Sequence, residues 1–172
     1  TDRETIGNMG TELGATTTVF PSDENTRAYL EAEGRGDVWQ ELAADEGAAY
    51  DENAEIDLSS LEPMIACPSS PGNVVSVREV AGITVHQTIV GSSVNSSYRD
   101  LMVAAKILEA RHCHPNVSFH VNPGSRQVIE NIAAQGGILP LLTAVARIHE
   151  SGCLGCIGMG QAPVTDGVTL RT

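Results

Sequence analysis

Cys153-Leu154-Gly155-Cys156 sets two thiols three residues apart, late in a chain of 172 residues. A Cys-x-x-Cys turn brings two thiolates close enough to share one metal ion or cluster. Two other readings stand beside it: a redox dithiol, and a pair of unrelated core cysteines. A thioredoxin-like dithiol belongs at the first βα turn, whereas this pair follows the last expected strand. A structural zinc site wants a second pair, and Cys67 and Cys113 lack the spacing for one. The expected metal site is therefore incomplete, and the chain alone is not expected to finish it. Asn8 and Glu12 lie four residues apart and share one helical face. On residue type alone, Glu12 reads as a solvated helix residue. His86, His112, His114, His120 and His149 lie near strands or in a polar connection, and read as surface or satisfied core groups.

The elements that must position these residues follow from pattern. Thr1 to Glu4 reads as a capping box, with Ile6, Met9 and Leu13 on one face of the helix it opens. Gly7, Gly10 and Gly14 each cost such a helix about 1 kcal/mol relative to Ala, so close backbone packing or a ligand is expected there. Thr16 to Phe20 reads as a strand ending at Pro21. Ser22 is expected to cap a helix from Asp23 to near Gly34. Val38 to Ala44 reads as a further helix, and Glu55 to Leu58 as a short strand. The segment CPSSPGN, Cys67 to Asn73, reads as a turn or linker. The expected division is into lobes 1–75 and 76–172.

The second lobe carries clearer signals. Ile83 to Val90 is β-rich, and Ser97-x-x-Asp100 is a capping box for a helix to about Arg111 whose stripe is Tyr98, Leu101, Ala105 and Leu108. Val117, Phe119 and Val121 alternate with Ser118, His120 and Asn122, the period of a strand. Asn122 to Ser125 turns into a helix broken at Gly136-Gly137. Another helix over Leu139 to Ala146 and a strand near Arg147 to His149 follow. This order predicts right-handed crossovers and a parallel sheet. Ligands of such sheets bind outside the carboxyl ends of the strands. There the loops Gly91 to Ser97, Asn122 to Ser125 and Gly152 to Gly160 would meet.

Composition narrows the function classes. The net charge is −12, from 22 acids and 10 bases, and the hydrophobic fraction is 41 %. Such a surface repels nucleic acid and anionic membranes. The acids crowd between Asp23 and Asp57, while the second half holds four of the five His and three of the four Cys. The longest apolar runs fall short of the ~20 residues a membrane span needs. No signal of secretion is visible, which predicts reduced thiols and a cytoplasmic location. The first residue is not Met, so either the start was removed or the chain is an excised segment.

Four motifs in order carry a resemblance. Asn8 to Thr17, NMGTELGATT, is similar to the NMG-x-E-x-GATT segment of aconitase-type hydro-lyases, and Phe20-Pro21-Ser22-Asp23 continues it. Gly91 to Ser97, GSSVNSS, resembles that family's GSCTNSS loop. Asn122 to Ser125 is similar to its TPGS turn. Cys153 to Pro163, CLGCIGMGQAP, resembles its CGPCIGMGQAP segment. The match is collinear over nearly the whole chain and stands nearest to aconitase among relatives that include homoaconitase and isopropylmalate dehydratase.

The resemblance implies a three-layer α/β/α domain on a mainly parallel sheet, plus part of a preceding α/β lobe. It implies a [4Fe–4S] cluster held by three cysteines, with Cys153 and Cys156 as two ligands. The fourth iron, left open, acts as a Lewis acid in dehydrating and rehydrating a hydroxy-polycarboxylate such as citrate or isocitrate. Glu12 then matches a carboxylate near the substrate hydroxyl, and Asn8 an amide bonding around the cluster. Ser93 stands where the family has its third ligand cysteine. Serine oxygen is a harder donor than thiolate, which opens a second reading: a diverged relative with an altered or absent cluster, acting on another hydroxy acid or binding without catalysis. The family's catalytic histidines and an Asn-Arg pair fall outside the chain. The partners expected are therefore a small hydroxy-polycarboxylate and the remaining aconitase-type domains, in the same or another chain. No nucleic acid and no membrane are expected as partners.

Overall fold

A computed structural model describes residues 2–172. They form two compact units, one of Ile6–Val80 and one joining the residues through Thr5 to Ala81–Thr172.

In the Ile6–Val80 unit, helix α1 (Asp2–Glu12) carries Asn8 and Glu12 in its later turns, both exposed. The expected Thr1 cap lies outside the described residues. The helix ends in a Schellman arrangement: Ala15 N–H donates to Gly10 O at 2.9 Å and Gly14 N–H to Thr11 O at 3.0 Å. Gly14 supplies the required positive φ of 93°. Gly10 has a packing reason as well, because a Cβ there would meet Thr18 Oγ1 at 2.7 Å.

Thr18 thus packs back on the helix, and Thr16 to Phe20 joins no ladder and is not a strand. Helix α2 (Glu24–Ala32) is capped by Asp23, whose side chain accepts from Thr26 N–H at 3.1 Å. Ser22 instead pairs with Leu42 in an isolated antiparallel bridge. That bridge holds Val38 to Ala44 open, so the expected helix shrinks to one 3-10 turn, Gly36–Val38. Glu55 to Leu58 is no strand either: the Asp57 side chain accepts from Ser59 N–H at 2.9 Å and starts a 3-10 turn over Leu58–Ser60. The segment CPSSPGN connects a hairpin, β1 (Met64–Ala66) and β2 (Val74–Ser76). Cys67 N–H donates to Asn73 O at 2.8 Å across its neck. The tight turn keeps this Pro- and Gly-rich stretch inside one unit, and the break between units follows Val80.

The other unit is built on a four-stranded sheet, β3 (Gln87–Gly91), β4 (Ser118–Asn122), β5 (Arg147–Ile148) and β6 (Thr169–Arg171), in the order β5-β4-β3-β6. All its pairs are parallel. Helices α3 (Tyr98–Leu108), α4 (Arg126–Ala134) and α5 (Ile138–Thr143) supply the crossovers. Leu101 and Ala105 of α3, Ile132 of α4 and Leu141 of α5 close over Phe119 and Val121 in one core. The expected capping box forms: Ser97 Oγ accepts from Asp100 N–H at 3.4 Å while Asp100 Oδ2 accepts from Ser97 N–H at 3.0 Å. Ser125 caps α4 through Val128 N–H at 3.2 Å.

The alternation in β4 puts His120 and Asn122 on the opposite face, in register with Ile89 and Gly91 of β3. That face is polar and still buried: Gln87, His120, Asn122 and Gln161 are each at most 3 % exposed. Pleating therefore separates an apolar helix-covered face from a polar face under the chain that follows β5. No helix among the described residues is long and apolar enough to cross a membrane.

Candidate metal centre

At the carboxyl edge, β3, β4 and β5 give way to the three loops expected there. The loop after β5 carries both cysteines, exposed, with their sulfurs 2.7 Å apart. Cys156 Sγ also donates to Cys153 O at 3.3 Å. Between them Gly155 is buried. A Cβ at Gly155 would lie 2.6 Å from Gln161 Oε1, 2.9 Å from Ile89 Cγ2 and 3.2 Å from Asn122 Oδ1. Glycine is what lets the loop lie flat on the sheet. Turns close behind it, with Met159 N–H donating to Leu154 O at 3.1 Å and Gly158 N–H to Gly155 O at 3.3 Å. From β6, Arg171 Nη1 donates to Cys156 O at 2.9 Å. The cysteine loop is thus fixed by sterics at its middle and by a charged hydrogen bond at its end.

Ser93 sits exposed in the loop after β3. Ser92 Oγ accepts from Val94 N–H at 3.1 Å and Asn95 N–H at 3.0 Å, and Ser96 Oγ bonds Ser92 O. Gly124 N–H donates to Ser96 O at 3.1 Å, tying in the turn after β4. Thr5 Oγ1, in the first turns of α1, donates to Asn95 Oδ1 at 2.8 Å. Thr172 Oγ1 accepts from Gly91 N–H at 2.9 Å. The serines flanking Ser93 thus spend their hydroxyls on shaping the loop. Cys113 belongs elsewhere, packed at the entry to β4 with its Sγ 3.8 Å from Val117 O.

Cys153 and Cys156 are thiol donors of the kind a thiolate-held cluster takes, and Ser93 offers an oxygen donor on the loop after β3. No group of three His, Cys, Asp or Glu side chains gathers among the described residues. Asn8 and Glu12 stay together on α1, in the unit that does not contain the cysteines.

One constellation escaped the sequence reading. His120 Nδ1 and His149 Nε2 are 2.8 Å apart and the rings stack at 5.1 Å. His120 Nε2 is 2.6 Å from Ser118 Oγ. Burial, followed by the neighbouring His149 and Arg147, pushes the His120 pKa below its ordinary 6.5. Burial and Arg147 do the same to His149. Both shifts favour the neutral rings, and their mutual hydrogen bond needs at least one unprotonated ring nitrogen as acceptor.

Comparison with known proteins agrees with this architecture. The model of the aconitase family (aconitate hydratase) matches residues 1–83 and 78–171. A 3-isopropylmalate dehydratase large subunit of Elusimicrobium minutum is 39 % identical over 166 residues, covering 96 % of this chain and 40 % of that protein. The large subunit 1 of Thermotoga maritima is 38 % identical over 168 residues, and the large subunit 2 of Archaeoglobus fulgidus 38 % over 166, with the same shares covered. The chain spans about 40 % of the length of these relatives.

Proposed function

Because this chain belongs to the aconitase family, we propose that it is the central part of a hydro-lyase that reversibly dehydrates a hydroxy-polycarboxylate. The substrate is a hydroxy acid of the 3-isopropylmalate kind rather than citrate or isocitrate, which motif resemblance alone favours. The names of the relatives support that choice. They also support a partner, since a large subunit works with another chain. The remaining catalytic groups come from further domains, in the same chain or in that partner.

Cys153 and Cys156 would hold two irons of a [4Fe–4S] cluster, with Ser93 at the third protein position. When bound, such a cluster supplies an iron with an open coordination place that draws electrons from a hydroxyl and its neighbouring carboxylate. This chain's own residues would contribute positioning and part of the proton handling. Gly155, pressed on Ile89 and Asn122, and Arg171, on the Cys156 carbonyl, keep both thiols aimed together. By the resemblance, Glu12 would be the carboxylate that exchanges a proton with the substrate hydroxyl. Asn8, one turn away on the same face, orients groups around the site through its amide.

The observation that carries the proposal is the exposed Cys153–Cys156 pair, on the same carboxyl edge of the sheet from which the Gly91–Ser97 loop leaves β3. The test is anaerobic purification and reconstitution of the full-length protein, with iron and sulfide counts and an EPR spectrum. A cluster is expected in the native protein. Ser93→Cys is expected to bind it more tightly, with slower iron loss on exposure to air. Absence of iron and sulfide after reconstitution in both proteins overturns the proposal. A cluster in Ser93→Cys alone supports the second reading, a diverged relative without a standard cluster, which the oxygen donor at Ser93 favours.

A further inference from the structure

On the polar face of the sheet, toward its amino edge, lies a cavity of about 180 Å³. One wall is polar, made by His86, Gln87, Ser118, His120 and Arg147; the other is made by Gly160, Gln161, Ala162, Pro163 and Val164. Its lining contains no Asp or Glu, in a chain where acids outnumber bases 22 to 10. Arg147 forms no ion pair among the described residues. Gln161 is 1 % exposed, and neither its Nε2 nor its Oε1 has a hydrogen-bond partner. A buried, unpaired amide is costly; Oε1 faces Gly155 of the cysteine loop, which leaves Nε2–H as the donor this residue can bring to the cavity it lines. His86 Nδ1 accepts from Val168 N–H at 3.1 Å, which puts the proton of the neutral ring on Nε2 as a further donor.

We propose that this cavity is a second ligand site, distinct from the cysteine loop, that takes a short-chain carboxylate. The oxygens would draw on Arg147, the His86 Nε2–H and the Gln161 amide, and the apolar stub would rest on Ala162, Pro163 and Val164. An anion supplies the negative charge that the lining lacks. It also reverses the repulsion that Arg147 exerts on His120 and His149. Glu150, exposed beside His149, presents its backbone carbonyl to Asn122 and is absent from the lining. The cavity opens toward the amino edge of the sheet and Gln161 links it to the cysteine loop, its Oε1 facing Gly155; the Arg147 contact does not depend on whether that loop holds a cluster.

The test is an NMR titration of the histidine ring signals of the full-length protein in acetate or butyrate, against phosphate and against chloride at equal ionic strength. The His120 midpoint is expected to rise in the carboxylates, and the His86 ring signals to move on binding. The rise is expected to vanish in Arg147→Gln, an exposed position. Gln161→Met, which removes the unpaired amide at similar volume, is expected to raise the thermal midpoint without ligand and to abolish the further rise that butyrate gives the native protein. Equal shifts in chloride and butyrate, or shifts retained in both variants, overturn the proposal as simple screening. A response to phosphate alone overturns the carboxylate assignment.

Discussion

Gly155→Ala puts one methyl group at the point where the cysteine loop meets the sheet. The added Cβ would approach Gln161 Oε1 at 2.6 Å and Ile89 Cγ2 at 2.9 Å. Ile89, 2 % exposed, has little room to move, whereas Gln161 Oε1 ends a flexible side chain beside the cavity described above and takes up part of the strain. Overpacking at such a site costs about 1–3 kcal/mol. Each kcal/mol lowers the thermal midpoint of a chain this size by ~2–4 °C. The alternative to that loss is a lifted loop, which separates Cys153 and Cys156 and lowers iron and sulfide retained after reconstitution. Thermal unfolding by circular dichroism and metal counts on the same samples read both. Trimming the collision partner, Gln161→Ala, is expected to recover part of the loss, with a coupling of at least about 0.5 kcal/mol in the double-mutant cycle. A Gly155→Ala protein with unchanged midpoint and iron content, or with no coupling to residue 161, refutes the steric reasoning.

Ser97→Ala removes one arm of a reciprocal capping box and is expected to cost about 1 kcal/mol in urea unfolding. The pH dependence follows from the histidine pair. Both pKa values are lowered in the folded protein, so the unfolded chain takes up protons first as pH falls. The stability contributed by the neutral pair is full above about pH 6.5 and is lost as pH drops below that value through the folded pKa values. Urea midpoints are expected to be flat at about pH 7 and above and to fall as the pH drops below about 6.5. His120→Gln is expected to flatten the profile, and an unchanged slope in that variant sinks the assignment.

The parallel domain was legible in the sequence because its signals are local. Ser97 and Asp100 announce the start of α3, the alternation through Val121 announces β4, and glycines mark where the chain turns. Strand β6 was not, since three residues, Thr169–Arg171, become a strand only by pairing with β3 far back in the chain. The first unit was harder still. Thr16 to Phe20 has strand propensity but no ladder partner, and Val38 to Ala44 has a helical pattern that the Ser22–Leu42 bridge overrides. At the site, the Cys-x-x-Cys spacing and the Ser93 departure were readable as motifs. The cradle beneath Gly155 was not, because Ile89, Asn122 and Gln161 come from three separate segments. The alternation in β4 did place His120 and Asn122 on one face; that this face is buried depends on the chain after β5.

The sheet order also sets a timetable. Strand β3 lies between β4 and β6, and β6 follows the other three strands of this sheet in the chain. Chains emerge N-terminus first, at roughly 5–20 residues per second. The Gly91–Ser97 loop therefore leaves the ribosome well before Thr172, whose hydroxyl ties Gly91 down, and before Arg171, which grips the Cys156 carbonyl. Until then the cysteine loop has its thiols but lacks the clamp that aims them. On the proposed reading, the loop that would receive iron and sulfur is clamped only once β6 has paired with β3, so maturation of the site would follow that pairing rather than the appearance of the cysteines.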